Sequence, residues 1–546
     1  MSEDVGRNIP VRISNSTFNN VDVMWAGGYG TMSDASVEGD ALTSDYHAAK
    51  PLGFGAVVLD LARSGVSAAI EVIDTTFSGV TGGLGHAITV RTHARISSTS
   101  ITLTDVTLEG CMASLYSGYA VYVEGALASF TAMNMRFTGS LDGLLAVTRT
   151  VDVVGFTDCQ LTGNTAEYEP TLLHLGGLGV ALSFQGCSVL DNEASDDWPT
   201  IVIDTDRLFA MRQRTVEVSR IAVMNSTIAR VSGGFLSSDV AVNELLLRDS
   251  VIADNSGGVF QLGRTPSGVG SVKIEGCRIQ GNTADYSGGF LNAAFLGTLT
   301  LNNSVVQGNV AQNNGGCVNV GSQAWNAVVQ ISNSTVGNNT AAMNGGVLAV
   351  MSGVSLTVDG ASKVEFNAAL TGSGGVVHVG GASESAVLVA IASRVTGNTA
   401  ARQGGVLAAS DLVSCVVDGE VSGNSARQGA AFHVAGGLQS LRVTGGGVFR
   451  DNTPTTQLGG SIWVGEELGS LALEAGSSVS GSLGSLEGVA ELTEVAAAGA
   501  SAEARVCVSV QMCCSRPPAP PSPPPVYGAY GAGQPPPVYG GPRLRR

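Results

Sequence analysis

The 546-residue sequence predicts an all-β fold, a single-stranded parallel β-helix of about sixteen coils. Three observations carry that expectation. An apolar residue stands three places before an asparagine ten times, at Leu161/Asn164, Val189/Asn192, Ile252/Asn255, Ile279/Asn282, Val306/Asn309, Val336/Asn339, Val364/Asn367, Val395/Asn398, Val421/Asn424 and Phe449/Asn452. Apart from one gap of 63, successive asparagines lie 26 to 31 residues apart, and a period of that size marks a stacked repeat. After most of them comes Gly-Gly and an apolar strand, as in GNTADYSGGFLNAA, GNVAQNNGGCVNV and GNTAARQGGVLAAS.

Each part of a coil follows from local chemistry. Segments before the asparagine, such as VVQISNSTV and VLVAIASRV, place apolar side chains at every second position, which is the strand period. Asparagine tolerates left-handed backbone angles, and Gly-Gly lets the chain turn where a side chain would clash. With coils stacked at the strand spacing of about 4.8 Å, the ten asparagines are expected to form a structural ladder of amide hydrogen bonds. Weaker copies at Phe18, Phe77, Leu108 and Phe137 keep the apolar anchor without the asparagine and extend the array toward the N-terminus. A rod of roughly 75 Å would result.

Composition points the same way. Glycine makes up 74 residues without a collagen period, and only 5% of residues are aromatic and 13% charged, which suits thin layers of small side chains. Length alone would suggest several domains, but a solenoid grows by adding coils to one core. The expected organisation is a β-helix over 1–490, a cap or linker over 491–515 with Cys507, Cys513 and Cys514, and a disordered Pro/Gly/Tyr-rich tail over 516–546. The net charge of −17, with lysine only at Lys50, Lys273 and Lys363, argues against nucleic acid as a partner.

The paired signals, apolar-x-x-Asn and Gly-Gly-apolar, resemble the tetrapeptides of the polymorphic outer membrane protein repeat over about residues 130–465. That family usually carries phenylalanine as the first anchor, whereas here only Phe449 of the ten does. The resemblance implies a right-handed helix of the pectin lyase-like type and a surface, adhesive or structural role. It brings no catalytic residues. The PPAPPSPPP segment is similar in composition to hydroxyproline-rich stretches of algal and plant wall glycoproteins.

Localisation is expected to be extracellular or at a cell surface, although the opening MSEDVGRNIPVRISNSTF has no signal-peptide pattern and reads as a fragment of a longer chain. No apolar run reaches the length of a membrane span. Five Asn-x-Ser/Thr sequons occur, at Asn15, Asn225, Asn302, Asn333 and Asn338. Two Pro-Pro-x-Tyr segments, ending at Tyr527 and Tyr539, resemble WW-domain ligands or, the preferred reading, a tyrosine-bearing wall tail.

Chemistry-bearing candidates are few. Cys159 and Cys187 sit at equivalent places in neighbouring coils, within reach of a disulfide but equally suited to stacking as reduced apolar side chains. Asp191, Glu193, Asp196 and Asp197 form the densest acidic cluster and read as a solvated loop. Pectin-type hydrolases share Asn-Thr-Asp, Asp-Asp, Gly-His-Gly and Arg-x-Lys motifs, of which this chain offers only Asp196-Asp197 and the lone Gly85-His86. The third position after Gly-Gly is Asn292, Asn319, Ala349, His378, Ala408, His433 and Trp463 in successive coils, a row expected to face outward. His378 and His433, two coils apart, are too far from each other to share a metal. The reading that emerges is a non-catalytic surface or matrix protein with no cofactor or metal. Its partner would be a glycan, a cell-wall component or a surface protein, met at His378, His433 and Trp463. A polysaccharide lyase or hydrolase is the runner-up, and a piece of a larger receptor a third possibility.

Overall fold

The computed structural model describes residues 8–19, 56–60, 67–82, 85–92, 98–113, 118–167, 169–194, 198–204, 218–262, 268–321, 327–351, 353–381, 387–456, 459–466, 468–474, 476–485, 488–496 and 504–505. Within them every regular element is a strand, and no helix is long and apolar enough to cross a membrane. The expected cap cysteines Cys507, Cys513 and Cys514, the proline tail and Asp196-Asp197 lie outside these residues.

The chain winds as a parallel β-solenoid. One coil shows the scheme: the long strand Leu296–Asn302, the anchor strand Val305–Gln307, the two-residue strand Val310–Ala311 after the asparagine, and the post-glycine strand Val318–Val320. Each pairs in parallel with its counterpart one coil on, so that Leu299 aligns with Val329, Val329 with Leu356 and Leu356 with Val389. A strict period-2 strand presents the same set of side chains inward in every coil, and Ala327, Val329 and Ile331 are buried while Val328 and Gln330 are exposed.

Thirteen successive long strands, from Leu127–Met133 to Leu471–Leu473, form the unbroken stack of about thirteen turns. The long strands Asn8–Ser14, Ser67–Ile73 and Ser100–Thr104 add rungs at the N-terminal side, where copies lack the asparagine. The gap of 63 in the asparagine series holds one full coil: Ile228 stacks between Val189 and Ile252, and the residue three places on is Val231. The last turn is closed by a hairpin. Strand Ser478–Ser485 pairs in parallel with Ile462–Val464 and antiparallel with Gly488–Ala496, so among the described residues the parallel stacking ends there.

The interior is apolar and continuous. Phenylalanines fill its first half in contact from coil to coil, Phe130 to Phe156, Phe184, Phe235, Phe260 and Phe290, with centroids 5.0 to 5.8 Å apart. After Phe290 the equivalent places carry Cys317, Val347 and Val376. An apolar cavity of about 30 Å³ opens there, lined by these three and by Phe290.

Candidate functional site on the outer face of the post-glycine strands

Two kinds of polar ladder run along the stack, one inside and one outside. The inner one is made by the ten asparagines. Asn164 Nδ2 donates to Asn192 Oδ1 at 2.9 Å. After the Val231 coil the series resumes, with Asn255, Asn282 and Asn309 each donating to the next asparagine at 2.8 Å. It continues from Asn339 through Asn367, Asn398 and Asn424 to Asn452 at 2.9 to 3.0 Å. Each Nδ2 also donates to the anchor carbonyl of the preceding coil, as Asn309 does to Ile279 O at 3.3 Å. Each Oδ1 from Asn282 to Asn452 also accepts the backbone N–H of the preceding ladder residue, as Asn309 Oδ1 does from Asn282 N at 3.3 Å. With every side chain at most 4% exposed, these bonds satisfy amides that would otherwise be buried unpaired. Where the asparagine is missing, backbone groups fill in: Val231 N donates to Asn255 Oδ1, and Ser140 N to Asn164 Oδ1.

The outer row belongs to the post-glycine strands. Ser237, Gln261, Asn292, Asn319, Ala349, His378, Ala408, His433 and Trp463 are successive register partners. Its middle is a second amide run with the opposite sense, Asn319 Nδ2 donating back to Asn292 Oδ1 at 2.8 Å and Asn292 Nδ2 back to Gln261 Oε1 at 2.9 Å. His378 is only partly covered, and burial lowers its pKa.

The expectation that His433 and Trp463 lie open on this face is corrected. Both point away from the core, yet they are 3% and 6% exposed. The imidazole lies flat on the indole, centroids 4.3 Å apart and planes within 3°, and the rung beyond Trp463 is Gly484 of the closing hairpin. Alternation along a strand says which side a residue takes, not what stacks over it. Burial holds His433 neutral, with its pKa down at about 4.

Sequence reasoning missed a polar cluster at the other end of the same face. Tyr119 Oη donates to Glu169 Oε2 at 2.8 Å and lies 3.0 Å from His174 Nδ1, which is itself 3.0 Å from the same carboxylate oxygen. Tyr119 opens the strand Tyr119–Glu124 and His174 is the middle residue of Leu173–Leu175, while Glu169 comes from the turn between the two-residue strand Thr165–Ala166 and Leu173–Leu175 of one coil. Gly143, the rung beside Tyr119, leaves the room its ring needs, since a side chain there would meet the ring carbons. Burial, then the charges of Glu169 and Asp142, pushes the Tyr119 hydroxyl far above its usual range. His174 Nε2 is buried with no partner among the described residues. Separations of 50 and 55 residues in an otherwise periodic chain hide this cluster from any spacing rule.

The remaining candidates are structural. Cys159 and Cys187 are free thiols rather than a bridge, buried in the core with each Sγ donating to the carbonyl two residues back, Thr157 O and Gln185 O. Asp191 is held by Arg230 of the next coil through bonds of 2.6 and 2.8 Å. His86 is buried with both ring nitrogens unpartnered among the described residues, and burial takes its pKa down to about 3. Among the described residues no group of three or more His, Cys, Asp and Glu could hold a metal ion.

Together these features define the chain as a parallel β-solenoid protein with an inner asparagine ladder. Comparison with family models, curated proteins and solved structures finds no match to it.

Proposed function

We propose that the protein is a non-catalytic cell-surface or extracellular-matrix solenoid, adhesive or structural, that presents a long acidic face to a glycan, wall component or surface protein. A right-handed winding and kinship with the polymorphic outer membrane protein repeat belong to the same proposal. One observation supports it most: among the described residues, apart from the Tyr119 cluster, the paired outward polar side chains are used mainly along the stack, rung to rung. Besides the outer amide run, cations pair with acids of adjacent coils, as in Lys273–Glu244 at 2.7 Å, Arg248–Glu275 at 2.8 Å and Arg442–Glu474 at 2.8 Å. Each exposed pair contributes little to stability, but each ties its cation to the neighbouring coil. A glycan array that includes oligogalacturonides, read for both binding and product, is the test. Binding without product is expected, and product formation would sink this reading.

A second reading has its own support. Tyr119 sits under the influence of two carboxylates, Glu169 and Asp142, next to a histidine with an unused ring nitrogen. Of this set the partly exposed Glu169 carboxylate is the group that suits acid–base chemistry on a polysaccharide, with Tyr119 and His174 positioning it. If the enzyme reading holds, Glu169→Gln and Tyr119→Phe each abolish product release from an acidic glycan while leaving the unfolding midpoint near that of the parent.

A further inference from the structure

We propose that Asn338 is an N-glycosylation site and that Phe366 of the next coil is the platform on which the attached sugar rests. The inference depends on the extracellular reading above. Of the fifteen described non-glycine residues with positive φ, thirteen are asparagine or aspartate, which tolerate that conformation; the two exceptions are Arg230 and Phe366. Arg230 is accounted for by its paired bonds to Asp191. Phe366, at φ 58°, has no comparable partner and is 58% exposed. A bulky aromatic side chain at such an angle is strained, and strain kept at the surface points to a use.

Its neighbours show what that use is. Phe366 takes the place just before the ladder asparagine, where the coils around it carry Gly308, Asn338, Gly397 and Gly423. Asn338 N donates to Glu365 O at 3.1 Å and Phe366 N to Thr396 O at 3.2 Å, so Asn338, Phe366 and Gly397 are consecutive rungs of one row. The phenyl ring lies across Gly397, where a side chain would come within 2.7 Å of it. On the other side stands Asn338, exposed, left-handed at φ 55°, and the first residue of the sequon Asn338-Asn339-Thr340. Its side-chain amide makes no hydrogen bond among the described residues, whereas Asn333 Oδ1, in another sequon, accepts from Ala361 N at 3.2 Å.

A pyranose ring carries C–H groups on one face, which pack against an aromatic ring while its hydroxyls stay in water. A sugar on Asn338 would cover exposed apolar surface that otherwise has no cover. The bond forms between Asn338 Nδ2 and the anomeric carbon of a lipid-diphosphate-linked oligosaccharide. The anomeric carbon–oxygen bond to the diphosphate breaks, and the lipid diphosphate departs as the amide nitrogen gives up a proton to the transferase.

The test uses the full chain secreted from a eukaryotic host, with peptides mapped by mass spectrometry after enzymatic deglycosylation in heavy-oxygen water. Label at Asn338 is expected, and lost in Thr340→Ala. Thermal midpoints of glycosylated and deglycosylated protein are then compared in the parent and in Phe366→Gly. The glycan should raise the midpoint only when Phe366 is present, whereas Phe366→Gly should raise the midpoint of the deglycosylated chain by releasing strain. A bare Asn338 in a chain modified at Asn225 or Asn333 overturns the proposal and leaves the extracellular reading standing. Modification at Asn338 with equal midpoint gains in both backgrounds removes the role of Phe366 and so also overturns it. Self-association of the unmodified chain that Phe366→Gly abolishes would assign the patch to a second copy instead. A secreted chain bare at all five sequons defeats both the proposal and the reading beneath it.

Discussion

At the residue scale the asparagine is a better ladder member than any substitute because it must donate and accept at once. Asn309 gives its amide protons to Asn339 Oδ1 and Ile279 O and takes two from Asn282. Asn309→Ala leaves two buried donors of Asn282 unanswered, and a loss of about 3 kcal/mol is expected in chemical denaturation. Asn309→Asp turns the donor into a second acceptor facing Asn339 Oδ1, which raises the carboxyl pKa in the folded state. Its stability relative to the parent should be greatest below the unfolded carboxyl pKa of about 3.9 and fall as pH rises. Histidines work in the other sense. The folded pKa values of His86 and His433, about 3 and about 4, lie below the ordinary 6.5. Above pH 6.5 both states are neutral and this contribution is whole. As pH falls toward 4 the unfolded chain binds protons that the folded chain refuses. Each histidine then lowers the folding constant roughly tenfold per pH unit. Denaturant midpoints at pH 7 and 5 should show the fall, and His433→Gln should remove about one proton from its slope.

At the element scale, anchor strands, turns and post-glycine strands were legible in the sequence because each repeats the same chemistry at the same offset. Gly345 shows why the glycine is needed: at φ 68° its missing side chain leaves room for Leu348 O, which a Cβ would strike. The coil at Ile228 was not legible, since Val231 stands where the asparagine would mark it and the backbone N–H of Val231 does the bonding instead. Packing between coils was not legible either. Valine suits every inward position by pattern, but Cys317, Val347 and Val376 follow a run of phenylalanines and leave the cavity of about 30 Å³ unfilled. Val347→Ile adds about one methylene to that space and should stabilise the protein by about 1 kcal/mol, seen as a higher denaturant midpoint with an unchanged slope.

For the molecule as a whole, stacking makes the coil the unit that can be added or removed. Each coil touches mainly its neighbours, so stability is close to a sum of rung and interface terms. Deleting residues 283–309 puts Asn282 where Asn309 stands, opposite Asn339, with Val310 following it in register. That variant should fold with the same β-type far-ultraviolet circular dichroism. Deleting the single residue Thr300 instead shifts half a strand by one position and sends Leu301 outward. It should cost several times more stability, measured by thermal unfolding of the two side by side.

The sequence by itself determined the winding: period, strand positions, inward faces and asparagine row are all local or periodic, and each coil states them afresh. Only the structure singled out Phe366, by its positive φ and its exposure. Tertiary structure alone decided which distant side chains meet. Tyr119, Glu169 and His174 come together only when coils of unequal length are stacked, and Trp463 covers His433 only once the final turn is in place. Periodicity fixes direction along and across a strand, whereas burial and contact depend on what the neighbouring rungs and loops lay over it.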